Sequence, residues 1–153
     1  MTETTENLSG EKAPVHWVAF FVALIAAPLI PAVLAYGLTA LLEHFDLAPS
    51  GLPVLAGVIL MAPAFGGLGY LVVGGPFLWH AARSKTGFAG AAFAANIAST
   101  PLVAIALFLL PGGSTDVGSM TGFIVGFGSI FAPLWGAIFG MLYPRLCNVR
   151  WLP

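Results

Sequence analysis

The sequence predicts an all-α integral membrane protein, a four-transmembrane-helix bundle with both termini on the cytoplasmic side. Three observations carry this reading. Charged residues make up 7% of the chain, against about 25% in an ordinary soluble domain. Hydrophobic residues make up 59%, and the mean hydropathy is +0.97. The apolar residues also gather into four stretches, each reaching the roughly 20 residues that a helix needs to cross a bilayer. A soluble domain of 153 residues has too much surface for five Lys or Arg and six Asp or Glu to cover. The same composition excludes a disordered chain, and a formal net charge of -1 offers no basic surface to nucleic acid.

The chain opens with a polar segment, 1–15, that holds Glu3, Glu6, Glu11 and Lys12. A secretory signal needs a basic flank and a short apolar core. Here the flank is acidic and the run that follows is long, so the first span is read as uncleaved; Val33-Leu34-Ala35 is the alternative cleavage site. The spans are expected at 16–42, 52–79, 88–110 and 117–143, followed by a short cytoplasmic tail, 144–153. No Asp, Glu, Lys or Arg lies inside any of them. The polar/apolar alternation of a membrane barrel strand is missing, which leaves helices. Turns are expected at Asp46–Gly51, Arg83–Gly87 and Pro111–Asp116, where Gly, Pro, Ser and Asp cluster.

The short loops make charge a guide to orientation. With four spans, both tails and the middle loop share one side. That side holds Lys12, Arg83, Lys85, Arg145 and Arg150, which are all the basic residues; the other holds Glu43, Asp46 and Asp116. The expected location is therefore the cell inner (cytoplasmic) membrane with both ends inside. Trp17, Trp79, Tyr143 and Trp151 fall near the basic side and suit interfacial anchors.

Small residues suggest how the spans pack. Gly118, Gly122, Gly126, Gly136 and Gly140 lie along the fourth span. The third carries Gly87, Ala91, Ala95 and Ser99, with Gly90, Ala94 and Ala98 beside them. Small residues four apart share a helix face and let backbones approach closely. Spans three and four are expected to pack as a hairpin, with self-association through the same face as the alternative. Each span also carries proline: Pro28 and Pro31, Pro63, Pro101 and Pro133. Ala27-Pro28-Leu29-Ile30 resembles Thr100-Pro101-Leu102-Val103, and Ala62-Pro63-Ala64-Phe65-Gly66 resembles Ala132-Pro133-Leu134-Trp135-Gly136. Two related helical hairpins would produce this pattern, as would chance in so Ala-, Pro- and Gly-rich a chain.

Chemistry-bearing residues are few. His16, His44 and His80 lie at span ends, and the single cysteine, Cys147, suits a free thiol. No nucleophile–base pair, metal-ligand spacing or nucleotide-binding loop is visible, so no catalytic, cofactor-binding or metal-binding residue is assigned and no cofactor is expected. The most polar group at membrane depth is Asn96, Ser99 and Thr100, read as glue between helices or as the lining of a solute path beside Pro101. Tyr36 and Thr39 form a second pair. The expected function is that of a non-enzymatic accessory or structural subunit, whose partners are the lipid bilayer and another membrane protein or a second copy. The alternative is an oligomeric transporter or channel for a small neutral or apolar solute.

The segment Gly74-Gly75-Pro76-Phe77-Leu78-Trp79-His80-Ala81-Ala82-Arg83 joins a Gly/Pro pair to an Arg before a short loop. Gly136-Ala137-Ile138-Phe139-Gly140 precedes Arg145 in the last span. In these two segments and in its architecture the chain resembles small uncharacterised four-span bacterial inner-membrane proteins. The resemblance implies the architecture and no activity. The orientation has a direct test. A reporter active only outside the cytoplasm is expected to work in loop 46–51 and to be silent in loop 83–87; the reverse pattern would overturn the assignment.

Overall fold

A computed structural model describes residues 15–84, 86–109 and 116–148. The expected tails, apart from residue 15 and residues 144–148, lie outside the described residues, as do Lys85 and positions 110–115. Among the described residues all regular structure is helical. It forms α1 (Trp17–His44), α2 (Leu52–Gly69), a π-helical turn (Tyr70–Gly74), α3 (Gly75–Ser84), α4 (Phe88–Ala98), α5 (Thr100–Leu109) and α6 (Val117–Cys147).

These elements make four helices long and apolar enough to cross a membrane: α1 with 28 residues, α2 through α3 with 33, α4 and α5 with 22, and α6 with 31. Each covers its expected span to within a few residues. The second runs on to Ser84 and the fourth to Cys147, past Pro144, so the start of the expected C-terminal tail is helix. Large apolar side chains such as Val33, Leu34, Leu68 and Phe108 are exposed along these helices. A water-soluble protein rarely leaves so much contiguous apolar surface uncovered. In a bilayer that surface faces lipid, and the chain is an integral membrane protein by these features.

Each helix end has a local cause. At the end of α1 the Leu47 N–H donates to the Leu42 carbonyl at 2.9 Å and the Asp46 N–H to the Glu43 carbonyl at 3.1 Å. Asp46 takes a left-handed conformation, φ 54°. This is a Schellman closure, which satisfies carbonyls that the helix end would orphan. Pro53 stands in the first turn of α2, where its missing N–H costs nothing. The π-helical turn ends just before Gly75-Pro76. Pro76 cannot donate to the carbonyl four residues back, and the helix widens there instead of breaking.

The core lies toward one end of the molecule, where α1 begins, α3 ends, α4 begins and α6 ends. Phe139 is fully buried. Its ring meets Phe20 of α1 and Phe88 of α4, each at 5.2 Å between centroids, and Tyr143 one turn on at 5.5 Å. Phe20 also packs edge-on against Trp79 at 5.2 Å, and Trp79 stacks on Trp17 at 4.0 Å. Such pairs add about 0.5–1.5 kcal/mol each beyond area burial. The Arg83 guanidinium lies over Trp79, 5.2 Å from the ring centroid. Arg83 and Arg145 therefore sit at this aromatic end, and Glu43, Asp46 and Asp116 at the opposite helix ends.

The most extensive helix contact is that of α4 with α6, as expected for a hairpin of spans three and four. The five glycines expected to serve helix packing differ in their surroundings. A Cβ on Gly136 would lie 2.5 Å from the Phe88 carbonyl oxygen and 2.7 Å from the Ala92 Cβ, and one on Gly140 would lie 2.9 Å from the Phe88 ring. A Cβ on Gly118, Gly122 or Gly126 would meet nothing within 4 Å among the described residues. The packed stripe is Gly128, Ala132, Gly136 and Gly140, four apart throughout. Gly118 and Gly136, like Gly122 and Gly140, are eighteen residues apart, five full turns at 3.6 residues per turn, so the two groups share a face of α6 and differ in depth along it.

The two glycine classes should separate on mutation. Gly136→Ala drives a methyl group into the α4 backbone and is expected to cost about 1–3 kcal/mol. Gly122→Ala adds a methyl group in open space and should leave stability unchanged or raise it by up to about 1 kcal/mol. Thermal unfolding in detergent, followed by helical circular dichroism, reads both; equal melting points would refute the division.

Candidate functional site

A cavity of about 340 Å³ lies between the second and third spans, with α6 as its floor. This falls within the 300–1,000 Å³ common for small-molecule sites. Gly66, Gly69 and Tyr70 wall it on one side, Asn96, Ser99 and Val103 on the other, and Gly128 and Trp135 lie beneath. Its lining is predominantly apolar and it is partly open. Leu68, Val72 and Leu102, which also border it, are more than half exposed, so its rim is continuous with the lipid-facing surface.

Two backbone irregularities border the cavity. One is the π-helical turn Tyr70–Gly74, which carries Tyr70, Val73 and Gly74 to the wall. Single π-turns inside α-helices occur frequently at functional sites. The other is the turn at Ser99, where the third span divides into α4 and α5. The Ser99 N–H is shared between the Ala95 carbonyl at 2.9 Å and the Asn96 carbonyl at 3.2 Å, a local tightening of the helix.

The side chains of the expected polar group do different jobs. Asn96 crosses between helices. Its Nδ2 donates to the Val125 carbonyl at 3.0 Å and to Ser129 Oγ at 3.2 Å, both on α6. Ser129 Oγ donates in turn to the Val125 carbonyl at 2.8 Å. Ser99 and Thr100 were read with Asn96 as glue between helices or as the lining of a solute path, and their hydroxyls bond within their own span. Ser99 Oγ donates to the Asn96 carbonyl and Thr100 Oγ1 to the Ile97 carbonyl, each at 2.7 Å and each within their own span. The Ile97 carbonyl is the one that the N–H of residue 101 would reach in a helix, and residue 101 is proline. Thr100 thus supplies the donor that Pro101 lacks. Asn96 and Ser99 border the cavity; Thr100 is not among its lining residues.

Three contributors escape sequence reasoning. Gly128 lets the Asn96 amide lie directly on α6, where a Cβ would collide with Asn96 Oδ1 and come within 2.9 Å of Cγ. Ser129 accepts from Asn96, although it lacks any neighbouring His or carboxylate. Tyr70 is buried, its ring edge-on to Trp135 at 5.2 Å, and its hydroxyl has no hydrogen-bond partner among the described residues. The one signal for Tyr70 is a lone hydroxylated ring among Gly66, Gly67, Gly69, Gly74 and Gly75. The second expected pair does not form a site: Thr39 is buried and Tyr36 is exposed. No group of three or more His, Cys, Asp or Glu side chains comes together among the described residues.

No protein-family model, curated protein or solved structure matches the chain.

The Asn96 contact has a measurable weight. Interhelical hydrogen bonds in membranes average about 0.6 kcal/mol and reach about 1.7. Asn96→Leu is expected to lower stability within that range. Gly128→Ala should cost more, since the methyl group displaces the amide and crowds α4. In the Asn96→Ala background the Gly128→Ala penalty should shrink by at least half. A double-mutant cycle of unfolding free energies checks this; strict additivity would sink the clamp.

Proposed function

We propose that the protein is a non-enzymatic, multi-pass accessory or structural subunit of the bacterial inner membrane, with both termini cytoplasmic. It works by packing against another membrane helix, from a second protein or a second copy. What supports this reading is the divided glycine stripe of α6. Gly128, Gly136 and Gly140 are consumed within the chain, while Gly118, Gly122 and Gly126 meet no neighbour among the described residues along the outer half of the same helix. Lipid tails are as apolar as Leu, so helices associate in a bilayer by close van der Waals contact. An open small-residue face is the surface that permits such contact.

A second reading, an oligomeric transporter or channel for a small neutral or apolar solute, is favoured by the cavity beside Asn96 and Ser99. On this reading the solute passes the irregular backbone at the Ser99 turn and the π-turn, where small adjustments of α5 against α2 open the path.

Cross-linking separates the two. With Cys147 replaced by Ser, Gly122→Cys in native membranes is expected to give one discrete adduct, at twice the chain mass for self-association or at the partner's added mass otherwise. Gly126→Leu should abolish it without altering the melting point. No adduct from Gly118, Gly122 or Gly126 would refute the packing reading. Solute flux through liposomes holding this chain alone, lost in Asn96→Leu, would establish the transport reading instead.

A further inference from the structure

The aromatic end of the bundle carries a feature that helix packing does not use. Trp79 is held by two neighbours: Trp17 stacks on it at 4.0 Å between centroids, and Phe20 meets it edge-on at 5.2 Å. Arg83, one turn further along α3, lays its guanidinium over the same ring, 5.2 Å from the centroid, and is exposed. A guanidinium that rests its face on an aromatic ring keeps its N–H donors in its own plane, clear of the stack. The charge is positioned by the ring and the fork stays open.

Among the described residues no carboxylate comes near it. The acids there are Glu43, Asp46 and Asp116, all at the opposite helix ends. The 28 residues of α1 put about 42 Å between the two ends, at about 1.5 Å per residue. Arg145, exposed near the end of α6, adds a second positive charge at the aromatic end. The hydroxyls that follow Arg83 in sequence are engaged: Ser84 Oγ donates to the His80 carbonyl at 2.8 Å and lies 3.1 Å from Thr86 Oγ1. The guanidinium fork is the group left to bind, and it fits an anion that offers two oxygens side by side.

Depth decides which anion. Arg83 is the first Asp, Glu, Lys or Arg after Leu52, near the end of a span of 33 residues that measures about 50 Å. The hydrocarbon core takes about 30 Å, and the interfacial layers bring the bilayer to about 40–45 Å. Amphipathic Trp rings lie at headgroup level, so Trp17, which is mostly exposed, and Trp79 set Arg83 among the lipid phosphates. A zwitterionic headgroup brings its own cation to an end that already holds Arg83 and Arg145. An anionic headgroup brings none.

We propose that the Trp17–Trp79–Arg83 stack is a binding site for an anionic phospholipid. Arg83 forks onto the phosphate, and the indole rings pack against the glycerol and the upper acyl chain. The site serves whichever leaflet this end occupies. It depends neither on the partner that α6 meets nor on a solute path.

Native mass spectrometry tests this on the full chain, released from a non-ionic detergent that holds equimolar phosphatidylglycerol and phosphatidylcholine with identical acyl chains. Phosphatidylglycerol adducts are expected to exceed phosphatidylcholine adducts about fivefold, the weight of one basic residue beside an anionic lipid surface. Arg83→Gln should bring that ratio below about two. Arg83→Lys, which keeps the charge and loses the fork, should at least halve it. Arg145→Gln should leave most of it. Arg83 and Arg145 are exposed, so the melting point in detergent is expected to hold across the set. Equal adducts of the two lipids would overturn the proposal. Equal losses from Arg83→Gln and Arg145→Gln would also overturn it, since they would mean diffuse attraction to a basic end. Full retention in Arg83→Lys would do the same for the stacked fork. Displacement of the lipid by glycerol 1-phosphate at the same concentration would overturn the lipid as occupant, because a free phosphate would then suffice.

Discussion

The structure depends on the contact between α4 and α6 at Gly136. No hydrophobic force separates helix from lipid here, so cohesion within the bilayer rests on atoms approaching closely enough for dispersion to count. With only a hydrogen at Gly136, the α4 backbone at Phe88 and Ala89 comes directly against α6. That approach puts Phe88 beside Phe139, and through Phe139 it ties in Phe20 of α1. The same register, carried on through Ala132 to Gly128, brings Asn96 within reach of Val125 and Ser129. Aromatic core and polar clamp are two ends of one helix seam.

The cavity follows from where this seam stops. Beyond Asn96 the third span tightens at Ser99, and α5, which has no buried residue, departs from α4. On the facing side the second span widens at its π-turn, next to Gly66 and Gly69, whose missing side chains leave room. A break in one helix and an expansion in another thus face each other over α6. Neither leaves the backbone exposed to lipid at a high cost. Thr100 covers the carbonyl that Pro101 orphans, and a π-turn keeps its own hydrogen bonds.

The fold class and the four spans were legible because a bilayer imposes a crude rule, about 20 apolar residues without a charge, and this chain obeys it four times. The pairing of spans three and four was also legible from their small residues. The depth of the close contact was not. Gly118, Gly122 and Gly126 satisfy the four-residue spacing as well as Gly128, Ala132, Gly136 and Gly140 do, and spacing alone does not say where along the helix a neighbour comes close. Asn96 was recognisable because an amide in hydrocarbon must find a partner. The role of Thr100 could have been read from Pro101 beside it, since a hydroxyl one residue before a proline can reach the carbonyl it frees. Tyr70 was out of reach, because an unpartnered hydroxyl is a property of three-dimensional surroundings. The matching prolines of the two sequence halves carry no matching backbone: α1 shows no break like that at Ser99, and α6 has no π-turn.

The four spans differ in length, and this bears on the membrane as much as on the protein. At about 1.5 Å per residue, the third span measures about 33 Å, close to the hydrocarbon thickness of about 30 Å, whereas the second measures about 50 Å. Helices this unequal cannot all stand upright in a layer of one thickness. The longer ones tilt or carry their ends into the headgroup region. The third span, over its described residues, already matches the hydrocarbon core and asks for little tilt. The cavity lies between it and the longest span, so the tilt that a given membrane thickness imposes on the second span acts on the cavity mouth.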